Sequence, residues 1–564
     1  MTEESNNDKN IIYQLSPELL TEIFGNLNIN DLFGCALVNR KWSANAMRIL
    51  WKCPIQLATF PLKNSKSPQE KLCSIISTMA KCLSVEVKNK LSNYGIFIDE
   101  IKNQNLPMFD YCLFMEKLNF VMIFKATFFW LNSLVKKGCV TGIFFHHLIF
   151  QEICNLVVIK SNIINNQQRD SSKMPEAKII LSAYNPRQML QGETCNRNYK
   201  VSDFPLPSHL PLMTQTLSRL ERVTLSTCMQ PRFIKELNNI CRNILDMSIH
   251  CGCHDDQHLA DFINNQRKLQ KIVMFSLKSD TRLHKIADAI KNKLEQLSSL
   301  NISVGQVPLE IFSNKQCDCL IELHLIDCDQ PLAKPSDWNQ FLCNNTSFKK
   351  LKKLELQCNI RNLEKLGIFL QKVPSLRELI LIRNYPEEQV SIDKLFRNIA
   401  NYSSNLIQLE LTAPEFTESL EVILQSCKKL EYLNLKDDCG QSNDLNERFS
   451  LLAQHFPISL KKFGVEFDLN VSKEKVEKFL NNCFNIGIRK LSLGVYFEEF
   501  SSEYEIIMKR HVRMGTLNNE FYGFWLKEQN ESTFEEYINT ANLEKDHWFD
   551  FIRESQTLGF SVTQ

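Results

Sequence analysis

The chain contains no C-x-x-C pair, although it carries 20 cysteines in 564 residues. That absence removes the paired knuckles from which RING-type zinc modules are built. Glycine is scarce, 16 in all, and no Walker or dinucleotide fingerprint occurs, so no phosphate-cradling loop is expected. Charge of one sign is also missing. The 66 basic residues face 64 acidic ones, a net charge of +2, without the basic stripe that a DNA- or RNA-binding surface needs. No apolar run reaches the ~18 residues of a membrane helix. The most apolar stretch, 118–150, is interrupted by Lys125, Lys136 and Lys137 and reads as buried helix. The opening MTEESNNDKN is acidic and polar, unlike a secretory leader. The expectation is a soluble protein, cytoplasmic or nuclear, with no nucleic-acid or membrane partner. Its cysteines are expected to be reduced and to serve mostly as small hydrophobes.

What the chain does have is a repeat. From about residue 217 an apolar residue, two others, an apolar, one other and an apolar recur, as in LSRLERVTL, LIELHL, LKKLEL, LRELIL, LIQLEL and LEYLNL. The central apolar positions are Val223, Met247, Ile272, Leu300, Leu323, Leu354, Leu379, Leu409, Leu433, Phe463 and Leu491, on average about 27 residues apart. The local period of two predicts a short strand, and segments such as NLEKLGIFLQKV and ESLEVILQSC between them predict helices. Strand plus helix at this interval, with leucine at these offsets, resembles the leucine-rich repeat family. Cys228, Cys328, Asn359 and Asn384 fall where that family favours Asn or Cys at the turn, whereas Pro414, Asp438 and Asp468 depart from it. The resemblance implies an α/β solenoid, a curved parallel sheet with helices outside. An ordinary α/β protein with parallel strands is the alternative. In the solenoid the residues between the leucines face the open side. These are Lys352, Lys353, Glu355 and Gln357, then Arg377, Glu378, Ile380 and Ile382, then Gln408 and Glu410, then Glu431, Tyr432 and Asn434. A mixed charged and aromatic row fits a protein target better than a phosphate, although any single member can simply be solvated. The expected target-binding set is Lys353, Glu355, Gln357, Arg377, Glu378, Ile380, Gln408, Glu410, Tyr432 and Asn434.

Near the N-terminus, LSPELLTEIFGNLNINDLFGCALVNRKW (15–42) reads as three short helices. Ser16 is an N-cap, Pro17 the first helical residue and Glu18 an acid facing the helix dipole. Leu19, Leu20, Ile23, Phe24 and Leu27 recur at helical spacing. Asn30 or Asp31 can cap a second helix with Leu32, Cys35, Ala36 and Val38, and a third runs through Trp42 towards Pro54. So small a unit cannot hide this many large apolar side chains, which implies a partner surface. The segment is similar to the F-box, the adaptor-binding module of Skp–cullin–F-box ubiquitin ligases. Leu15, Glu18, Leu19, Ile23, Phe24, Leu27, Asp31, Leu32, Cys35, Val38, Arg40 and Trp42 fall on positions the family pattern favours. The pattern's usual proline is replaced by Ser16, with Pro17 one place later. The resemblance implies adaptor contacts by Leu15, Pro17, Glu18, Leu19, Leu20, Ile23, Phe24, Leu27, Leu32, Val38 and Trp42.

The expected organisation is a disordered tail (1–10), the F-box (11–54), a mainly helical linker region (55–207), leucine-rich repeats (208–496) and a helical cap (497–564). Within the linker region 161–178 reads as a loop and ICNLVVIKSN as an irregular early repeat. HCGCHDDQH brings His250, Cys251, Cys253, His254 and His258 together, but the cysteines sit too close for a zinc knuckle and the segment reads as a repeat turn. His146 and His147 in FFHHLIF read as half-buried packing. No nucleophile stands out, and no catalytic residue, metal or cofactor is expected. The resulting expectation is a non-catalytic substrate receptor, bound to a Skp-type adaptor and through it to a cullin, holding a target protein on its repeats. The alternatives are a ligase-independent repeat scaffold and a metal- or cysteine-dependent enzyme.

Overall fold

A computed structural model describes residues 15–54, 67–96, 98, 107–115, 117–136, 146–168, 180–182, 214, 217–227, 229–252, 254–276, 281–313, 315–326, 335–344, 346–357, 363–382, 389–412, 418–436, 449–469, 471–497 and 502–518. The tail at 1–10, the turn positions Cys228, Cys328, Asn359, Asn384, Pro414 and Asp438, and residues 519–564 of the expected helical cap lie outside them. The described residues fall into two compact units. One runs to His250 and includes Asn265–Arg267, and the other comprises Cys251–Asn264 and the chain from Lys268.

The first unit begins with helices α1 (Pro17–Gly25), α2 (Ile29–Val38) and α3 (Arg40–Leu50). Each starts on a side-chain cap. Ser16 Oγ accepts the Leu19 N–H at 3.3 Å, Asn28 Oδ1 that of Asp31 at 3.0 Å, and Asn39 Oδ1 that of Trp42 at 2.9 Å. Such caps contribute about 1 kcal/mol each. Asn28, rather than Asn30 or Asp31, therefore starts α2, and both of those residues lie inside the helix. Leu20, Phe24, Leu32, Ala46 and Leu50 form a small core, with Leu15, Leu27, Trp42 and Trp51 packed around it. Phe24 meets Trp42 edge-on at 5.2 Å.

Helices α4 (Pro68–Lys81) and α5 (Val85–Ser92) follow, then strand β1 (Lys117–Asn119), helices α6 (Phe120–Lys136) and α7 (His146–Gln168), and strand β2 (Ile180–Ser182). Two expectations are corrected here. ICNLVVIKSN lies wholly within α7, and the loop expected from 161 is helical to Gln168, with 169–178 outside the described residues. The buried stripe of Ile149, Ile153 and Leu156 forms the core side of the helix, and the polar Ser/Asn/Gln run continues it. Strands β3 (Arg222–Ser226) and β4 (Asp246–Cys251), joined through helix α8 (Pro231–Ile240), extend a parallel series in the order β1–β2–β3–β4. Leu118, Leu181, Val223 and Met247 stand in one register column. The strand repeat thus begins two strands before the first one legible as a repeat.

In the second unit β5 (Lys271–Ser276), β6 (Ser299–Ser303), β7 (Glu322–Ile326), β8 (Lys353–Gln357), β9 (Glu378–Ile382), β10 (Gln408–Thr412), β11 (Tyr432–Lys436), β12 (Lys462–Leu469) and β13 (Ser492–Phe497) pair in sequence order, all parallel. Helices, among them α9 (Gln257–Asn265), α10 (His284–Lys293) and α11 (Pro335–Cys343), or short helical turns return the chain between strands, the arrangement of an α/β solenoid. Leu300, Leu323, Leu354, Leu379, Leu409, Leu433, Phe463 and Leu493 occupy one buried column. The last member corrects the sequence reading. Leu493, not Leu491, pairs with Phe463, while Leu491 forms an isolated bridge with Leu517 after the left-handed Lys490 (φ 57°). Two phenylalanine clusters fill the space between sheet and helices, Phe312, Phe341, Phe348 and Phe369 in one, and Phe449, Phe456, Phe463 and Phe479 in the other. Helix α12 (Leu363–Leu370) approaches α13 (Gln389–Tyr402) so closely that Gly367 lies against Asn398.

Candidate interaction surfaces

The N-terminal module sorts its apolar residues into two groups that helical periodicity cannot separate. Leu20, Phe24 and Leu32 are buried and belong to the module's own core. Leu15, Leu27 and Trp42 are half-buried against it. Pro17, Glu18, Leu19, Ile23 and Val38 are exposed. The structure adds two residues the sequence reading omitted, Phe33 and Leu37. Leu37 is 88% exposed, against 48% for Leu19 and 46% for Ile23. Leu19 and Ile23 are four apart on α1 and Phe33 and Leu37 four apart on α2, so each helix presents an outward apolar pair. Phe33 and Leu37 lie one and five residues past the core residue Leu32, off its three- and four-residue spacing, a signal that could have marked them as outward-facing. Lys41 Nζ, on α3, ties down the segment leading into α1 by donating to the Leu15 carbonyl at 2.6 Å. The Glu18 carboxyl is held below its ordinary range by its own backbone N–H and by the Ser16 hydroxyl.

The second surface is the sheet face opposite the buried leucines. Strand register sets its side chains in rows. Glu322, Lys353, Glu378, Gln408, Tyr432 and Lys462 form one row, and His324, Glu355, Ile380, Glu410, Asn434 and Gly464 the next. Neighbours in these rows pair across strands. His324 Nδ1 lies 2.6 Å from Glu355 Oε2, and Gln357 Nε2 donates to Glu355 Oε1 at 2.6 Å. Lys436 Nζ reaches Glu410 at 2.8 Å, Lys353 Nζ reaches Glu378 at 3.4 Å, and the Lys462 ammonium lies 5.2 Å from the Tyr432 ring centroid. Burial pushes the Glu355 carboxyl up, but the His324 bond and charge, Lys353 and Gln357 outweigh it and hold the acid below its ordinary value. All ten expected target-binding residues lie on or beside these strands. Glu355, Ile380 and Asn434 are buried and form the floor, whereas Lys353, Gln357, Glu378, Gln408, Glu410 and Tyr432 are half-exposed. Arg377 is exposed immediately before β9, its N–H bonded to the Lys352 carbonyl. The partners His324, Lys436 and Lys462 were missed, although within their own repeats they hold the offsets of Glu355, Gln357 and Lys353 respectively.

The other clusters divide differently. His250 is buried in β4, where loss of solvation pulls its pKa down to about 4 and keeps it neutral. Cys253 lies outside the described residues, and among the described residues no metal-sized grouping includes His250, His254 or His258. His146 and His147 pack against Phe124 at a tilt, with ring centroids at 4.7 and 5.3 Å. Burial pushes the thiols of Cys241, Cys317 and Cys427 up to about 12, the opposite of an activated nucleophile. The only grouping of metal-ligating atoms among the described residues is Cys82, Asp110 and Cys112.

These features define a two-part protein, a small helical module with an outward apolar rim and a parallel-stranded α/β solenoid. The module has a match: the F-box-like family model covers residues 15–56. That span is a small part of the chain, and it classes the N-terminal module as F-box-like. No curated protein matches the chain. Among solved structures, the chain is similar to one described as the Rad7 and Elc1 complex in yeast, at 12% identity over 72% of this chain and 99% of that one, with a TM-score of 0.34.

Proposed function

We propose that the protein is the substrate-recognition subunit of a Skp–cullin–F-box type ubiquitin ligase. Its F-box-like module docks a Skp-type adaptor, which recruits a cullin, and its leucine-rich repeats hold a target protein on the exposed strand face. The supporting observation is the outward apolar rim of Leu19, Ile23, Phe33, Leu37 and Val38 on a module that matches the F-box-like family. The protein contributes proximity: with target and charged enzyme on one scaffold, ubiquitin transfer becomes local rather than a bimolecular encounter. No group on the chain needs to take part in bond making.

The reading is tested with the full chain and a purified Skp-type adaptor. Burying a leucine contributes about 1.5–3 kcal/mol, and 1.4 kcal/mol is about tenfold in affinity. Leu37→Asp is therefore expected to weaken adaptor binding about tenfold or more without unfolding the module. Unchanged affinity in a Leu19→Asp, Leu37→Asp double variant would exclude the rim as the docking face. Adaptor binding without cullin recruitment would instead support a ligase-independent scaffold.

A further inference from the structure

Cys82 and Cys112 are 30 residues apart in sequence, yet their sulfurs and a carboxylate oxygen of Asp110 all lie within 4.8 Å of one another. Three elements bring them together. Cys82 ends α4, its N–H bonded to the Met79 carbonyl at 3.0 Å. Asp110 and Cys112 open a short 3-10 turn (Tyr111–Phe114), closed by the Leu113 N–H donating to the Asp110 carbonyl at 3.0 Å. Lys160 on α7 reaches Asp110 Oδ2 at 2.5 Å, while Asp110 Oδ1 is buried with no hydrogen-bond partner.

We propose that Cys82, Cys112 and Asp110 bind one zinc ion, with water as the fourth ligand. Two sulfurs and a carboxylate oxygen suit zinc and disfavour magnesium or calcium, which require oxygen cages. Zn–S bonds of about 2.3 Å and Zn–O bonds of about 2.0–2.2 Å place tetrahedral donors roughly 3.5–3.8 Å apart, so about an ångström of side-chain adjustment closes the site. Binding releases one proton from each thiol, and the ion meets two thiolates and one carboxylate. The resulting single negative charge is matched by the Lys160 ammonium, which holds Asp110 from the outer side as second-shell partners of metal ligands do. The two thiols share a hydrogen bond that lowers the pKa of Cys82 and raises that of Cys112. The orphaned Asp110 Oδ1 is the atom that a cation would satisfy.

The site has a structural consequence. Tyr111, between the two ligands of the turn, packs against Trp51 with the ring centroids 4.6 Å apart and tilted by 33°, and Trp51 caps α3 of the F-box-like module. Zinc would fix the turn to the end of α4 and so fix the ring on which the module rests. The sequence offered no sign of this, because the ligands come from separate segments and form no knuckle.

The test uses the full chain purified under reducing conditions without chelator. One zinc per chain is expected by elemental analysis, falling to background in Cys82→Ser and in Cys112→Ser but not in Cys319→Ser, a change at an exposed cysteine elsewhere. Where the variants fold poorly, alkylation mapping of the unaltered chain decides. Zinc should protect Cys82 and Cys112 but not Cys319, and a chelator should remove that protection. Absence of zinc with free alkylation of both thiols, full zinc retention in both variants, or a Cys82–Cys112 disulfide in a chain that takes up no zinc after reduction would each overturn the proposal.

Discussion

Gly367→Ala is expected to loosen the solenoid at one defined place. A Cβ built at Gly367 would lie 2.7 Å from Asn398 Cγ and 2.9 Å from Asn398 Cβ, inside the distance real Cβ contacts adopt. Rotating the Asn398 amide away does not relieve the second contact, because that atom is fixed to the backbone of α13. The two helices must therefore move apart by a few tenths of an ångström. Overpacking of this kind costs about 1–3 kcal/mol, while replacing a helical glycine by alanine returns about 1 kcal/mol. The expected net loss is about 1 kcal/mol. Solenoids rarely melt in one step, so the assay is hydrogen exchange, with the amides of α12 and α13 opening several-fold faster. Gly367→Ala combined with Asn398→Gly should be less unstable than the two single changes summed, by about 1 kcal/mol. A stabilised Gly367→Ala, or strict additivity in the cycle, would show that the close helix approach is wrong.

Phe24→Ala empties part of the module's core and is expected to cost about 3–5 kcal/mol, whereas Leu37→Ser should stay within about 0.5 kcal/mol; limited proteolysis between residues 15 and 54 separates them. His250 binds its proton near pH 4 when folded and near 6.5 when unfolded. The unfolded state therefore takes up more protons, and the stability contributed by neutral His250 is present above about pH 6.5 and lost as pH falls through about 4, roughly 3 kcal/mol in total. Urea titrations at pH 7 and pH 4.5 should show this slope and its flattening in His250→Leu, and an unchanged slope would count against burial of the neutral ring. Glu355→Gln removes the charge that His324 and Gln357 contact and should cost about 1–3 kcal/mol, while an exposed change such as Arg377→Gln should be silent in the same denaturation assay.

Much of the solenoid is legible because its code is local. Each run of the L-x-x-L-x-L type places two apolar residues on the buried side of a strand, and the ten strands β3 to β12 follow that reading. The early strands escaped because three residues, as in Lys117–Asn119 leading straight into a helix, leave no period to detect. At β13 both Leu491 and Leu493 fit the pattern, and only pairing with Phe463 chooses between them. In the F-box-like module, periodicity showed which residues share a face but not which side of a three-helix unit is its core. Leu20 and Phe24 were therefore grouped with Leu19 and Ile23, although only the latter pair is exposed. The polar ladder on the strand face depends on register between repeats, so Glu355 was visible and its partner His324 was not.

The most direct measurement of the proposed receptor function is proximity labelling by the full chain in three forms: unaltered, Leu19→Asp with Leu37→Asp, and Gln408→Ala with Tyr432→Ala. The first pair of changes is expected to lose the adaptor and cullin while keeping other partners. The second should keep adaptor and cullin and lose a distinct target. Loss of the same partners by both variants, or retention of the adaptor by the rim variant, would contradict a receptor that uses separate surfaces for ligase and target.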